Sequence, residues 1–328
     1  MSIAKSTLEG DCMKQSHRIA LGVSSCLLGQ NVRYDGGHKL NHYIADLLSI
    51  YFDFVPVCPE VECGLPTPRE AMHLTGDPAA PRLIAVRTGR DLTAQMHSWS
   101  AQRIQELKPL RLRGFIFKKN SPSSGLFRVK VYQDKGPPLT SGRGLFAHAV
   151  TRAFPLLPVE EEGRLTDTRL RENFIERVYG YDRLLTLLDS NPAKADLIQF
   201  HTLHKLLLMA HSPDHYRRLG KLVASTSPVH ALLPSYASLF MEALQLLATP
   251  AKQTNVLMHC MGYFKKQLEA WEKQELLELI ERYRMQQLPL IVPITLLKHH
   301  MQRFGQPYLE QQLYFSPHPD ELMLRNHA

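Results

Sequence analysis

The chemistry in this chain starts with sulfur. There are five cysteines, Cys12, Cys26, Cys58, Cys63 and Cys260. An odd count with no export signal argues against a disulfide framework and turns attention to metal ligation or thiol chemistry. Cys26 and Cys58 have 31 residues between them, too many for a local zinc knuckle. Each, however, stands where an apolar run meets a polar cluster. Residues 18–28 (RIALGVSSCLL) carry Ser24-Ser25-Cys26, residues 51–57 (YFDFVPV) lead into Cys58-Pro59-Glu60, and residues 113–119 (RGFIFKK) lead into Asn120-Ser121-Pro122-Ser123-Ser124-Gly125. Cys63 adds a third sulfur at C-x4-C spacing, which is unspecific alone. A buried core thiol explains any one of these cysteines, but three that converge suit a metal or an iron–sulfur cluster. Gly29, Gly36, Gly37, Gly64 and Gly125 allow close backbone approach, and Arg33, Arg69 and Lys118 offer charge to a small polar or anionic group. No GxGxxG, GxxxxGK[ST] or GxSxG motif is present, so dinucleotide, P-loop and serine-hydrolase chemistry have nothing in their favour.

The elements that must position these residues follow from pattern. At 328 residues, with 44% hydrophobic and 21% charged residues, the chain has material for two globular domains and is neither disordered nor fibrous. Three apolar runs separated by helix-capable segments predict an α/β domain with a mostly parallel, Rossmann-like sheet, in which ligands bind beyond the carboxyl ends of the strands. That geometry would gather the three polar clusters in one pocket. The second half reads as long helical periodicity, so an all-α domain follows. The expected division is 1–160 and 161–328, within a join at 154–167 where Pro155, Pro158, Glu160 to Glu162 and Gly163 interrupt both patterns and Thr166 and Asp167 offer N-cap chemistry. Phe174, Val178, Tyr181, Leu185 and Leu188 fall at helical spacing beyond it. A helix is also expected from Gly262 to about Gln287, with Trp271, Leu276, Ile280 and Tyr283 in its packed face. His201, His204, His211 and His215 share a helix-like spacing but lack matched carboxylate or cysteine ligands, so structural roles are expected for them, as for His299 and His300.

The net charge of +8 is unevenly placed: Lys and Arg number 20 against 13 acidic residues up to residue 160, then 19 against 18. Lys108, Arg111, Arg113, Lys118, Lys119, Arg128 and Lys130 follow one another with no acidic residue between them, a stretch fit to attract a polyanion such as RNA. No apolar run approaches bilayer length and residues 1–10 lack a secretory h-region, so the expected compartment is the cytoplasm, with no membrane partner.

Together, the blocks Val23-Ser-Ser-Cys-Leu-Leu-Gly29, Val32-Arg-Tyr-Asp-Gly-Gly37, Pro56-Val-Cys-Pro-Glu60, Gly64-Leu-Pro-Thr-Pro-Arg69 and Ser121-Pro-Ser-Ser-Gly125 resemble the signature of the thiouracil desulfidase family. The second half is similar to the helical domain often fused to it, through Arg171-Glu-Asn-Phe174, residues 204–213 (HKLLLMAHSP), Gly262-Tyr-Phe-Lys265, Leu288-Pro-Leu290, residues 295–299 (TLLKH) and Leu324-Arg-Asn326. The resemblance implies a [4Fe–4S] cluster held by three cysteines with one iron open to sulfur, and, for fused members, conversion of 4-thiouridine to uridine in tRNA. Carried over by position, Cys26 and Cys58 are ligands, Glu60 the acid/base residue with Glu62 as second choice, and Ser121 a substrate or proton-relay residue. Arg33, Arg69 and Lys118 are the expected substrate-binding residues. The family's Ser-Pro-Ser-Cys-Gly reads Ser-Pro-Ser-Ser-Gly here, so Ser124 stands at the third ligand position. The cluster is then lost, weakened, or rescued by Cys63 as the third ligand, and with the cluster lost the chain is a cluster-free RNA-binding or regulatory protein. A Cys63 that faces the pocket supports the replacement; one that faces the core rejects it.

Overall fold

The structure, a computed structural model, describes residues 18–327. Cys12 and the leader reading of residues 1–10 lie outside the described residues. One parallel sheet has the order β2-β1-β5-β8, formed by β1 (Ile19–Ser24), β2 (Phe52–Val57), β5 (Gly114–Phe117) and β8 (Val159–Glu161). β5 lies inside the sheet and all four of its residues are buried, as a strand covered on both faces requires. β2 is an edge strand, which is where Pro56 is tolerated. Side chains alternate between two cores. Ile19, Leu21, Val23 and Ile116 pack with Phe174, Ile175 and Val178 and with Leu322 and Leu324, whereas Phe115 and Phe117 pack with Leu107, Phe146 and Val150. Gly22 makes the second core possible, because a Cβ there would stand 2.1 Å from the Phe115 ring.

A second sheet, order β4-β3-β6-β7, was not expected. It comprises β3 (Met72–Thr75), β4 (Arg82–Ala85), β6 (Val129–Tyr132) and β7 (Leu139–Gly142), mostly antiparallel. Three further helices belong to this half: α1 (Pro59–Glu62), α2 (Thr93–Leu107) and α3 (Leu145–Ala153). The acidic triplet read as an interruption is instead structural. Glu160 and Glu161 end β8 and all three glutamates are buried. The expected division at residue 160 thus falls inside a strand.

From Thr168 onward the structure is helical: α4 (Thr168–Asp189), α5 (Lys194–His211), α6 (Pro213–Ala224), α7 (Val229–Gln245), α8 (Pro250–Gly262), α9 (Ala270–Arg284), α10 (Ile291–Phe304) and α11 (Pro307–Glu310). Asp167 caps α4, its side chain accepting from the N–H groups of Arg169 and Leu170 at 2.9 and 3.0 Å. α4 joins the two halves. Its Phe174, Ile175 and Val178 belong to the sheet's core while Leu184 belongs to the helical core with Leu207, Phe240 and Leu257. The single helix expected from Gly262 to Gln287 is corrected to two elements, because the chain turns between Gly262 and Ala270. Leu276, Ile280 and Tyr283 are buried as expected, but Trp271 is 66% exposed and packs in no core. Among the described residues no single helix is long and apolar enough to cross a membrane.

Candidate active site

Three strand ends of the parallel sheet open into one cavity of about 380 Å³, lined by Cys26, Cys58, Glu60, Ser121 and Ser124 together with Arg33, Arg69 and Lys118. Cys26 lies in a tight 3-10 turn, residues Ser25–Leu28, that follows β1 directly. Its carbonyl accepts from Lys39 N–H at 2.9 Å, which ties the turn to the loop carrying Arg33 and Tyr34. Cys58 ends β2 and caps α1; the Glu62 carboxylate reaches back to its N–H at 2.7 Å and pairs with Arg103 at 3.1 Å. Glu62 is thereby a cap, outside the cavity lining, and not an acid/base residue facing it. The Cys58 thiol points to the Val32 carbonyl at 3.8 Å.

Glu60 is held from both sides. Arg69 donates to its Oε2 through Nε at 3.0 Å and through Nη2, while Ser123 and Ser121 donate to Oε1 at 2.8 and 3.4 Å. Arg69 also donates to the Val32 carbonyl at 2.9 Å. Ser121 Oγ accepts from the N–H groups of Ser124 and Ser123 at 3.1 and 3.3 Å, closing the turn that presents Ser124. The backbone packs closely there: a Cβ on Gly144 would lie 2.5 Å from the Ser123 carbonyl group, so only glycine admits this approach.

The acidic triplet, which the sequence did not connect with the site, braces it. Glu162 takes Lys118 Nζ at 2.5 Å and Lys119 N–H at 2.7 Å. Glu161 accepts from the N–H groups of Leu126 and Phe127 at 2.7 and 3.1 Å, at the far end of the serine turn. Lys118 N–H donates to Ser24 Oγ at 3.0 Å, joining β5 to the Cys26 turn. Burial pushes the Cys26 thiol up to about 11, against the opposing positive charge of Lys118, and pushes Cys58 up as well. Burial thus favours the neutral thiol over the thiolate at both positions. Both suit ligation, where a metal supplies the charge that stabilises thiolate.

Two expectations are corrected. Cys63 does not line the cavity: the turn of α1 carries it away from Cys58, its thiol donates to the Glu60 carbonyl at 3.3 Å, and it packs against the core of Leu65, Leu74 and Met96. The replacement of the third ligand by Cys63 is rejected on that geometry. The basic stretch 108–130 is not a free basic face throughout either, because folding supplies acids for three of its seven positive residues, while Lys108, Lys119, Arg128 and Lys130 stay exposed. Arg111 pairs with Asp189, Arg113 with Asp182 at 2.6 Å and Lys118 with Glu162. The first two pairs fasten α4 to the sheet domain. Of the four tempting histidines, His201 bonds Tyr236 Oη at 3.2 Å, His204 the Phe200 carbonyl at 2.7 Å, His211 Glu176 at 3.0 Å and His215 Ser212 at 2.9 Å.

A parallel α/β sheet whose strand ends collect two thiols, a serine turn and an arginine-held carboxylate in one cavity brings soft donors and an acid/base group together where α/β proteins bind ligands. The family model described as 2-thiouracil desulfurase matches residues 21–162, and the one described as protein of unknown function (DUF1722) matches residues 205–319. The uncharacterized protein YbgA of Escherichia coli (strain K12) is 32% identical over 161 residues, covering 48% of this chain and 95% of that protein. The uncharacterized protein YbbK of Bacillus subtilis (strain 168) is 33% identical over 108 residues, 31% of this chain and 71% of that protein. Among solved structures, the [4Fe–4S]-dependent thiouracil desulfidase TudS is 30% identical, over 46% of this chain and 95% of that one, with a TM-score of 0.39. The chain belongs to the 2-thiouracil desulfurase family through its first half, with the DUF1722 region forming part of its second.

Proposed function

We propose that the chain is a desulfidase of thiolated pyrimidines that works in the Cys26, Cys58 and Ser124 cavity, and that its substrate is 4-thiouridine in tRNA, converted to uridine. The observation that carries this reading is the convergence of two thiols, one hydroxyl and the Glu60 carboxylate at the ends of adjacent parallel strands. The sequence identity with a [4Fe–4S]-dependent thiouracil desulfidase supports it further. The donor set fits such a cluster at two corners through Cys26 and Cys58 and offers oxygen at the third through Ser124. When bound, the cluster supplies an open Lewis-acidic iron for a soft thiocarbonyl sulfur.

The chain's own residues do the rest. The reaction is a hydrolysis in which water's oxygen replaces sulfur at the pyrimidine carbon and sulfide leaves. Glu60, aimed by Arg69 and the two serines, takes a proton from the attacking water, and Ser121, whose hydroxyl donates to Glu60 at 3.4 Å, passes it on to the departing sulfur, which leaves as hydrosulfide with water's oxygen on carbon. Lys118, fixed by Glu162, places positive charge where negative charge develops on sulfur. Support for an RNA substrate comes from a separate face, where Arg143 and Arg152 line one open groove with His97 and His148 beside the apolar Pro78 and Pro81.

Anaerobically reconstituted protein tests this. Incubation with thiolated tRNA should turn 4-thiouridine into uridine, read by mass spectrometry of the nucleosides, and Glu60→Gln and Cys58→Ala should each abolish the conversion with the fold intact. Because Ser124 offers a harder ligand than thiolate, a second reading stands beside this one: an RNA-binding protein without the cluster. Binding of tRNA with no conversion and no iron would favour it.

A further inference from the structure

A second set of ionisable groups is buried in the helical half, apart from the thiols. Glu172 and Glu176 lie one turn apart on α4, and the segment after α11 brings His318 and Arg325 against them. One oxygen from each carboxylate and one ring nitrogen of His318 lie within 4.8 Å of one another. His318 is only 7% exposed. Its Nδ1 sits 3.1 Å from the Pro319 carbonyl, so Nδ1 carries the proton and Nε2 presents its lone pair. That Nε2 has no hydrogen-bond partner, and Glu172 Oε1 has Arg325 Nε at 3.4 Å, an ion pair without hydrogen-bond geometry. A carboxylate oxygen cannot satisfy the buried lone pair on nitrogen; either a proton on Glu172 or a cation between the two groups satisfies both, and two carboxylates facing one imidazole lone pair are the arrangement a cation takes.

We propose that Glu172, Glu176 and His318 hold a divalent transition-metal ion of the zinc class. Two carboxylates and one imidazole form a common borderline donor set for such an ion. Glu176 is already oriented as ligating carboxylates are, by Arg325 at 3.0 Å and His211 at 3.0 Å. Arg325 offsets one of the two carboxylate charges, and the ion would displace the proton that burial beside Glu176 favours on Glu172. A small cavity of about 80 Å³, lined by Glu172, Glu176, His211 and Tyr283, adjoins the carboxylates and has room for a water as fourth ligand. The site would fasten the segment bearing His318 to α4. Leu322 and Leu324 of that segment reach into the core of the parallel sheet, so the ion would tie the two halves together.

The test is a Co²⁺ titration of the chelator-stripped full chain, with the visible d–d bands as readout and Zn²⁺ as competitor. In a Cys26→Ser, Cys58→Ser chain, where the thiols of the other cavity cannot compete, the expected result is one saturable site per chain whose spectrum lacks sulfur-to-cobalt charge transfer. It should weaken at least about 10-fold when His318→Gln or Glu172→Gln is added. Added Zn²⁺ should raise the thermal midpoint of that doubly substituted chain and not of either variant made in it. Glu172→Gln is nearly isosteric, so it carries the test if circular dichroism shows that His318→Gln does not fold. Absence of saturable uptake, uptake that vanishes with the two cysteines, or uptake indifferent to both variants would overturn the site, leaving water alone among these groups, and would leave the desulfidase reading untouched.

Discussion

Replacing Arg69 by Met tests how the site holds its carboxylate. The Arg69 side chain is 5% exposed and that of Glu60 14%, so the pair is buried and removal of the guanidinium strands an acid. Such removals cost about 3–5 kcal/mol. The Ser123 and Ser121 hydroxyls remain as donors to Glu60, which places the expected loss near the lower end, about 3 kcal/mol. Arg69 also donates to the Val32 and Pro66 carbonyls, at 2.9 and 3.3 Å, and these bonds are lost whatever stands at position 60, at about 1 kcal/mol for the pair given the length of the second. In a Glu60→Gln background no charge is stranded, so Arg69→Met should cost only that smaller amount. The difference, a coupling of about 2 kcal/mol, is what a double-mutant cycle isolates. Equilibrium urea unfolding followed by Trp99 fluorescence measures it, since Trp99 packs 5.1 Å from Phe146 in the sheet domain whereas Trp271 is already exposed. Equal costs in the two backgrounds would refute the idea that Arg69 acts on Glu60.

Other outcomes follow from the same contacts. Ser124→Cys should raise iron and sulfide content after anaerobic reconstitution, because a third thiolate replaces a harder oxygen; unchanged content by chemical assay would show that Ser124 is not at a ligand position. Glu162→Gln should cost about 2–3 kcal/mol in urea unfolding, since it leaves Lys118, 17% exposed, without its partner. His201 is held at about 4 by burial, below its unfolded value, so the unfolded chain binds the extra proton and stability must fall as pH drops from about 6.5 to 4. His201→Gln should remove up to about 3 kcal/mol of that acid dependence in stability measured across the same window. Arg113→Met should loosen α4 from the sheet and lower the thermal midpoint while tRNA affinity, measured by filter binding across salt, keeps its slope.

The parallel sheet and its pocket were legible because a strand buried on both faces writes itself as an unbroken apolar run, as Gly114–Phe117 does, and because polar residues that close such runs must meet at one sheet edge. The Asp167 cap was equally local. The second sheet was hidden because its strands have four residues each and carry exposed polar positions such as Lys130 and Thr140, too short for a period to show. Glu160 to Glu162 misled for a different reason. Buried acids are recognisable only once their donors are known, and those donors come from Lys118, Leu126 and Arg164, in other elements. The same non-locality hid the pairing of Arg111 and Arg113 in the basic stretch, whose partners Asp189 and Asp182 lie 78 and 69 residues downstream. Cys63 shows the limit of spacing alone: five positions after Cys58, a single helical turn was enough to send its sulfur toward the core.

The most direct test of the central claim is a paired measurement on one anaerobically reconstituted preparation of the parent chain: iron bound per chain, and uridine formed from 4-thiouridine in tRNA over the same hours. The account predicts iron bound in the Cys26 and Cys58 cavity, lost in Cys26→Ala, and uridine formation that rises and falls with that iron across the Ser124→Cys, parent and Cys26→Ala series. Iron that loads fully in Ser124→Cys with no thiolated pyrimidine, free or in tRNA, losing its sulfur would contradict it.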